Sequence, residues 1–223
     1  MENQYEFSRK VCEDFLADGD SFDLVSCVDA EEIQKEIKNY NGSFSEGYCE
    51  NICLYRNIAE QIPALDRFVF HGAAISILGK GFIFTAPSGT GKTTHISLLM
   101  KRFGESVKII NGDKPIIKVN DDGAVVYSTP WAGKEGWKTN SQTPLSGIVI
   151  LKRGKENKIT KIRPSEYFEE LVNQIYIPKN GEMLLKTLDL LDKLSQKIDF
   201  YLLECDISAE AAETSYKMLS SGL

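Results

Sequence analysis

Nine consecutive residues, Ala86-Pro87-Ser88-Gly89-Thr90-Gly91-Lys92-Thr93-Thr94, have the types and spacing of a loop that wraps phosphates, with alanine in the usual first glycine position. Gly89 and Gly91 permit backbone angles that turn successive N–H groups toward one point and let phosphate oxygens approach closely. In this pattern the lysine, Lys92, reaches the β and γ phosphates, and the hydroxyl after it, Thr93, binds magnesium. Ser88, Thr90 and Thr94 complete the cradle. The context is the one the motif requires. Phe82-Ile83-Phe84-Thr85 reads as a strand running into the loop, and Ile96 to Phe103 reads as a helix leaving it, whose positive N-terminal end adds to an anion site. The motif implies a nucleoside triphosphate with magnesium and does not by itself identify a reaction.

Four other places carry chemistry. Apolar runs before and after Gly79-Lys80-Gly81 predict an antiparallel hairpin. With the turn at Gly79-Lys80, paired residue numbers sum to about 160, which sets His71 opposite Gly89 and beside the phosphates. There His71 can bind the γ-phosphate, assist the metal or handle an acceptor's proton. Asp113 ends the strand that follows the motif helix, a usual place for a magnesium-binding or proton-accepting carboxylate. Thr129 to Trp137 holds both tryptophans of the chain among small residues and two charges. Such a loop can set Lys134 on transferring phosphoryl oxygens, with Trp131 or Trp137 as a wall. His95, in the first turn of the motif helix, either approaches the metal or acceptor or packs the helix. Asp121 and Asp122 read as a hairpin tip.

The elements that must position these groups are short and varied. Phe22 to Val28 predicts a strand, and Asp29 caps a helix from Glu31 to Lys38 that Asn41-Gly42 ends. Tyr48 to Ile62 is a helix or a strand, closed by Pro63. Phe68 to Leu78 reads as one β run. Gly104 stops the motif helix, and Val107 to Ile110 is a strand. Hairpins are predicted for Ile116–Val119 with Ala124–Tyr127, and for Gly147–Leu151 with Ile159–Ile162. Helices follow from Ser165 to about Ile175 and from Glu182 to about Gln196. A strand at Phe200–Leu203 precedes a last helix capped by Ser208. The fold class is mixed α/β: a hairpin-rich sheet carries the phosphate loop, with flanking helices and no regular βαβ alternation. Residues 1–65 form an N-terminal α/β extension packed on the core, and 66–223 the nucleotide-binding domain.

Composition narrows the class. At 223 residues and 42% hydrophobic, the chain can bury a substantial core. A net charge of −6 gives no general attraction to nucleic acid or anionic membrane. No apolar run approaches the roughly 18–20 residues of a membrane span. The acidic opening is the reverse of a secretory leader. Cys49 and Cys53, four apart, do not have zinc or redox spacing, so the five cysteines read as reduced thiols and the expected compartment is the cytoplasm.

These residues resemble the HPr kinase and phosphoenolpyruvate carboxykinase-like superfamily of P-loop kinases. The likeness rests on His71-Gly72-Ala73, Gly79-Lys80-Gly81, the loop from Ser88 to His95, and Asn111-Gly112-Asp113-Lys114-Pro115. Pro130-Trp131-Ala132-Gly133-Lys134-Glu135 resembles a subgroup of small HPr-kinase-related proteins. The resemblance implies transfer of the γ-phosphate of ATP, in HPr kinase to a protein serine. It implies His71 near the phosphates, Lys92 on them, Thr93 on magnesium, and Asp113 at the metal or as proton acceptor. The superfamily usually has two adjacent aspartates where this chain has Gly112-Asp113-Lys114. Asp113 aligns with the second aspartate or, alternatively, with the first; if it is the second and the first is the base, Glu135 or His71 must replace it. Residues 1–65 do not resemble the N-terminal domain of HPr kinase. The expected activity is an ATP- and magnesium-dependent phosphotransferase acting on a hydroxyl of a protein, peptide or small molecule. The alternatives are a non-catalytic nucleotide sensor and, in a chain short for it, carboxykinase chemistry.

Overall fold

The computed structural model describes residues 3–19 and 21–221. The N-terminal segment is helical: α1 (Glu6–Cys12), α2 (Ala30–Asn39) and α3 (Glu46–Gln61). Asp29 caps α2 in a reciprocal box, its side chain accepting from the Glu32 N–H while Glu32 reaches back to the Asp29 N–H. Val28, Ile33, Cys49, Cys53 and Leu54 form the small core of this layer. The buried Glu50 ties α1 to α3 by accepting from the Ser8 hydroxyl. Residues 22–28 are not a strand. They pack by side chains instead: Val28 is buried against α3, Leu24 packs against the cluster that holds Val69, and the Ser26 hydroxyl donates to the Leu54 carbonyl.

Among the described residues nine strands make one mixed sheet with two parts. In the larger part β4 (Val107–Asn111) lies beside β2 (Ala73–Ile77), then β3 (Lys80–Thr85), β7 (Gln142–Arg153), β9 (Asp199–Cys205) and β8 (Lys158–Lys161). The smaller part runs β1 (Arg67–Val69), β5 (Ile116–Asn120), β6 (Gly123–Tyr127), and joins the first residues of β7. The helices α4 (Lys92–Phe103), α5 (Phe168–Val172), α6 (Gly181–Ser195) and α7 (Ala209–Ser220) complete seven α-helices among the described residues.

Period-2 alternation along β7 explains the layering. Ile148 and Ile150 join a core with Leu171 of α5 and Leu190, Leu191 and Leu194 of α6. Val149 and Leu151 join a second core with Ile96 and Leu99 of α4 and Ala211, Ala212 and Leu219 of α7. A strand buried on both faces reads as a continuous apolar run, as Ile148 to Leu151 does.

Three strand expectations need correction. The Phe68–Leu78 run breaks at Phe70–Gly72, where the chain leaves the smaller part of the sheet for the larger. A Cβ on Gly72 would sit 2.6 Å from Ile83 Cγ2, so only glycine allows the crossing there. The hairpin turn is Leu78-Gly79, both with positive φ, because Ile77 pairs with Lys80. Continuing the pairing of Ala73 with Phe84 sets Ala86, not Gly89, opposite His71. Lastly, β8 pairs with β9 and not with β7, since β9 runs parallel to β7 and occupies its edge. The crossover through α5 and α6 makes that placement possible, so the sheet holds two parallel pairs, β3 with β7 and β7 with β9. The helix expected from Ser165 is a 3-10 turn (Pro164–Tyr167) followed by the five residues of α5.

Candidate active site

The motif loop leaves β3 at Thr85 and enters α4 at Lys92. Gly89 (φ 77°) and Gly91 (φ 122°) take backbone angles closed to most side chains. Thr90 folds back, its N–H and hydroxyl both donating to the Pro87 carbonyl, at 3.2 and 2.7 Å. From the end of β7, Arg153 donates through Nη2 to the Gly89 carbonyl at 2.5 Å and through Nε to the Thr90 carbonyl at 3.1 Å. Carbonyl and N–H of one trans peptide point oppositely, so the Thr90 carbonyl held by Arg153 turns the Gly91 N–H away from it. The first turn of α4 has no side-chain cap, which leaves its amide donors for an anion.

Asp113 follows β4 in a turn built by Asn111. Asn111 is fully buried; its Oδ1 accepts from the Asp113 N–H at 2.9 Å and the Lys114 N–H at 2.8 Å, and its Nδ2 donates to the Thr129 carbonyl at 2.9 Å. The Gly72 N–H donates to the Asp113 carbonyl at 2.9 Å, which fixes the turn to the 70–72 crossing. His71 Nε2 lies 3.2 Å from Asp113 Oδ1, and Lys114 Nζ holds Oδ2. Burial alone would raise the Asp113 pKa, but hydrogen bonds and charge from His71 and Lys114 outweigh it and bring the carboxyl down to about 2. The backbone of His71 is fixed too: its N–H donates to the Gln174 carbonyl, and its carbonyl accepts from the Thr85 hydroxyl at 3.0 Å.

A cavity of about 470 Å³ is walled by the loop from Ala86 to Thr94, by His71, by Gly112 and Asp113, and by Gly133, Lys134 and Glu135. Eleven of the residues named from the sequence as site candidates thus line one space: Ser88, Gly89, Thr90, Gly91, Lys92, Thr93 and Thr94 with His71, Asp113, Lys134 and Glu135. Burial lowers the Lys92 pKa; the nearby carboxylates Asp113 and Glu135 oppose that shift, and Lys114 adds to it. Gly133 makes the approach of its loop possible, since it has φ 74° and a Cβ there would stand 3.0 Å from Asp113 Cβ.

Both tryptophans face away from this role as a wall. Trp131 donates through Nε1 to Asn51 Oδ1 at 3.3 Å and meets Tyr55 edge-on, and Trp137 packs against the core under α4 and α7. His95 also lies elsewhere. It is buried, 2.9 Å from the Ser215 hydroxyl on α7, and burial lowers its pKa to about 4, so it is a neutral packing residue.

Among the described residues no group of three His, Cys, Asp or Glu side chains could hold a metal ion. Thr93 and Asp113 supply one hydroxyl and one carboxylate on the same cavity, a donor set that suits a magnesium ion completed by phosphate oxygens and water. Sequence reasoning missed the contributions of Arg153, Asn111, Lys114, Asn51 and Tyr55. Only Asn111 and Lys114 had a local signal, as neighbours of Asp113. A second cavity of about 740 Å³ is lined by Thr85–Thr90, Ile150–Arg153, Glu170, Asn173 and Gln174. All five thiols are free, and no helix among the described residues is long and apolar enough to cross a membrane.

No protein-family model matches the chain, and no curated protein does. Among solved structures, the HPr(Ser) kinase/phosphatase from Coxiella burnetii is similar over 57% of this chain and 97% of its own, with a TM-score of 0.34 and 13% identity. Agreement at that level carries no argument about chemistry, which rests on the site itself.

Proposed function

We propose that the chain is a magnesium- and ATP-dependent phosphotransferase that moves a γ-phosphoryl group to a hydroxyl of a protein, peptide or small molecule. The observation that carries this reading is the ionised carboxylate of Asp113, bracketed by His71 and Lys114, on the same cavity as Lys92 and the motif loop. Phosphoryl transfer needs little covalent help from a protein; it needs positioned positive charge around the phosphates and an oriented nucleophile. In this reading the loop amides, Lys92 and the N-terminus of α4 hold the β and γ phosphates, and Lys134 adds charge at the cavity's other wall. Thr93 and Asp113 hold magnesium, which would supply charge neutralisation of the phosphates. A carboxyl with a pKa near 2 is a weak base, so Asp113 orients the acceptor hydroxyl or the metal more than it draws a proton. His71, at its side, and Glu135 are the groups that would take the proton. The nucleoside extends toward the larger cavity beside Ile150 and Leu151.

A second reading, a nucleotide sensor without transfer, is favoured by one feature: both Asp113 oxygens already have cationic or His partners. The two are separated by titrating ATP with magnesium into wild type, Lys92→Ala and Asp113→Ala by calorimetry, following phosphate release and labelling of acceptors in extracts from radiolabelled ATP. Transfer requires binding lost in Lys92→Ala and turnover lost in Asp113→Ala. Tight binding with no hydrolysis and no labelled acceptor leaves the sensor. No binding by wild type sinks both.

A further inference from the structure

Helix α3 belongs to a segment whose sequence offers no chemistry, yet it reaches the Asp113 turn. Three contacts make the link. Trp131 donates its indole N–H to Asn51 Oδ1 at 3.3 Å, and Asn51 is only 7% exposed. The Tyr55 ring meets Trp131 edge-on at 5.1 Å between centroids, and Tyr176 at 5.9 Å. Lys114 Nζ stands 5.8 Å from the centre of the same Tyr55 ring while it holds Asp113 Oδ2. The Trp131 carbonyl closes the circuit by accepting from the Lys114 N–H at 3.2 Å.

We propose that Asn51 and Tyr55 are positioning residues of the site, acting through Trp131 and Lys114 to fix where the Asp113 carboxylate stands over the cavity. The part of this statement that concerns phosphoryl transfer rests on the function proposed above; the part that concerns the turn does not. Tyr55 acts by its ring, which gives Lys114 a second, non-anionic support and keeps its ammonium directed. Asn51 acts by its amide oxygen, because the indole N–H of a half-buried tryptophan needs an acceptor. Asn51 and Tyr55 lie four apart on one face of α3, so a single helix turn presents both. Tyr176, whose hydroxyl donates to Glu60 further along the same helix, anchors that face to the chain after α5.

The test uses Tyr55→Phe, Tyr55→Leu and Asn51→Leu in the full chain. Phosphate release and nucleotide affinity are measured together with amide hydrogen exchange of the free protein. Tyr55→Leu and Asn51→Leu should speed exchange across residues 111–114 and 129–137 while leaving 86–103 unchanged. They should lower kcat by about tenfold to a hundredfold, the usual cost of a slightly misplaced group, with nucleotide Kd held within about twofold. Tyr55→Phe keeps the ring and should match wild type in both readouts. Exchange at wild-type rates in 111–114 for both leucine variants overturns the proposal. So does faster exchange that spreads equally over 86–103 with a fall in Tm, which marks a merely structural role. If wild type neither binds nor hydrolyses nucleotide, the proposed function fails, and the exchange pattern still decides whether α3 holds the turn.

Discussion

His95 separates the two uses of a histidine next to a phosphate-type loop. Its ring is buried against α7 with the Ser215 hydroxyl at 2.9 Å, Cys205 Sγ at 3.9 Å and the Phe84 ring beside it. Among the described residues no charged partner accompanies it, and burial moves its pKa from 6.5 to about 4. The unfolded chain therefore takes up a proton below 6.5 that the folded chain refuses until about 4. Stability from this group is full above 6.5, falls as pH drops through that window, and is flat below it. The ceiling is about 3 kcal/mol, and at pH 4.5 the loss is about 2–3 kcal/mol. Urea unfolding of wild type and His95→Gln at pH 7 and pH 4.5 measures it, with glutamine keeping a polar group for Ser215. The loss between the two pH values should be about 2–3 kcal/mol larger in wild type than in the variant, which removes every other titration from the comparison. At pH 7 the variant should bind ATP with magnesium within about twofold of wild type, because His95 does not line the cavity. Equal acid losses in the two proteins would refute the buried, unpaired ring. Loss of nucleotide binding by a well-folded variant would refute its placement away from the site.

Arg153→Ala removes two hydrogen bonds to the loop carbonyls from an exposed side chain. Solvent screening limits their worth, so calorimetry should find nucleotide Kd raised about fivefold, equivalent to about 1 kcal/mol, with urea unfolding little altered. Asn111→Ala leaves the Asp113 and Lys114 N–H groups and the Thr129 carbonyl without their partner, and urea unfolding should record a loss of about 1–3 kcal/mol. Gly133→Ala and Gly136→Ala both put alanine at positive φ, but only the first meets Asp113. Both should lose about 1–2 kcal/mol of stability in the same assay. Only Gly133→Ala should also slow phosphate release.

Legibility in this chain follows the distance over which each feature is determined. The Asp29 cap, the stop at Gly104, the existence of the β2–β3 hairpin (its turn one residue earlier than the expected Gly79-Lys80) and the strand–loop–helix of the motif are each set within a few residues, and the sequence reveals them. The partner of β8 is not set locally. Lys158 to Lys161 alternates in a way that suits any free edge, and the crossover after it decides that the edge is β9. His71 was found by extending a hairpin register, and the outcome tolerated a three-residue error because the 70–72 crossing, and not strand pairing, holds it near Asp113. The motif residues and Asp113 have recognisable types, whereas Arg153 is an ordinary strand-end arginine 64 residues from the loop carbonyl it binds. Asn51 stands 80 residues from Trp131, on a helix whose apolar face looks like plain core. The residue types that can meet phosphate are therefore encoded locally, but the orientation of Asp113 is encoded in packing between α3 and the 129–137 loop. A substitution there should alter turnover while leaving the motif, and the reading of the motif, untouched.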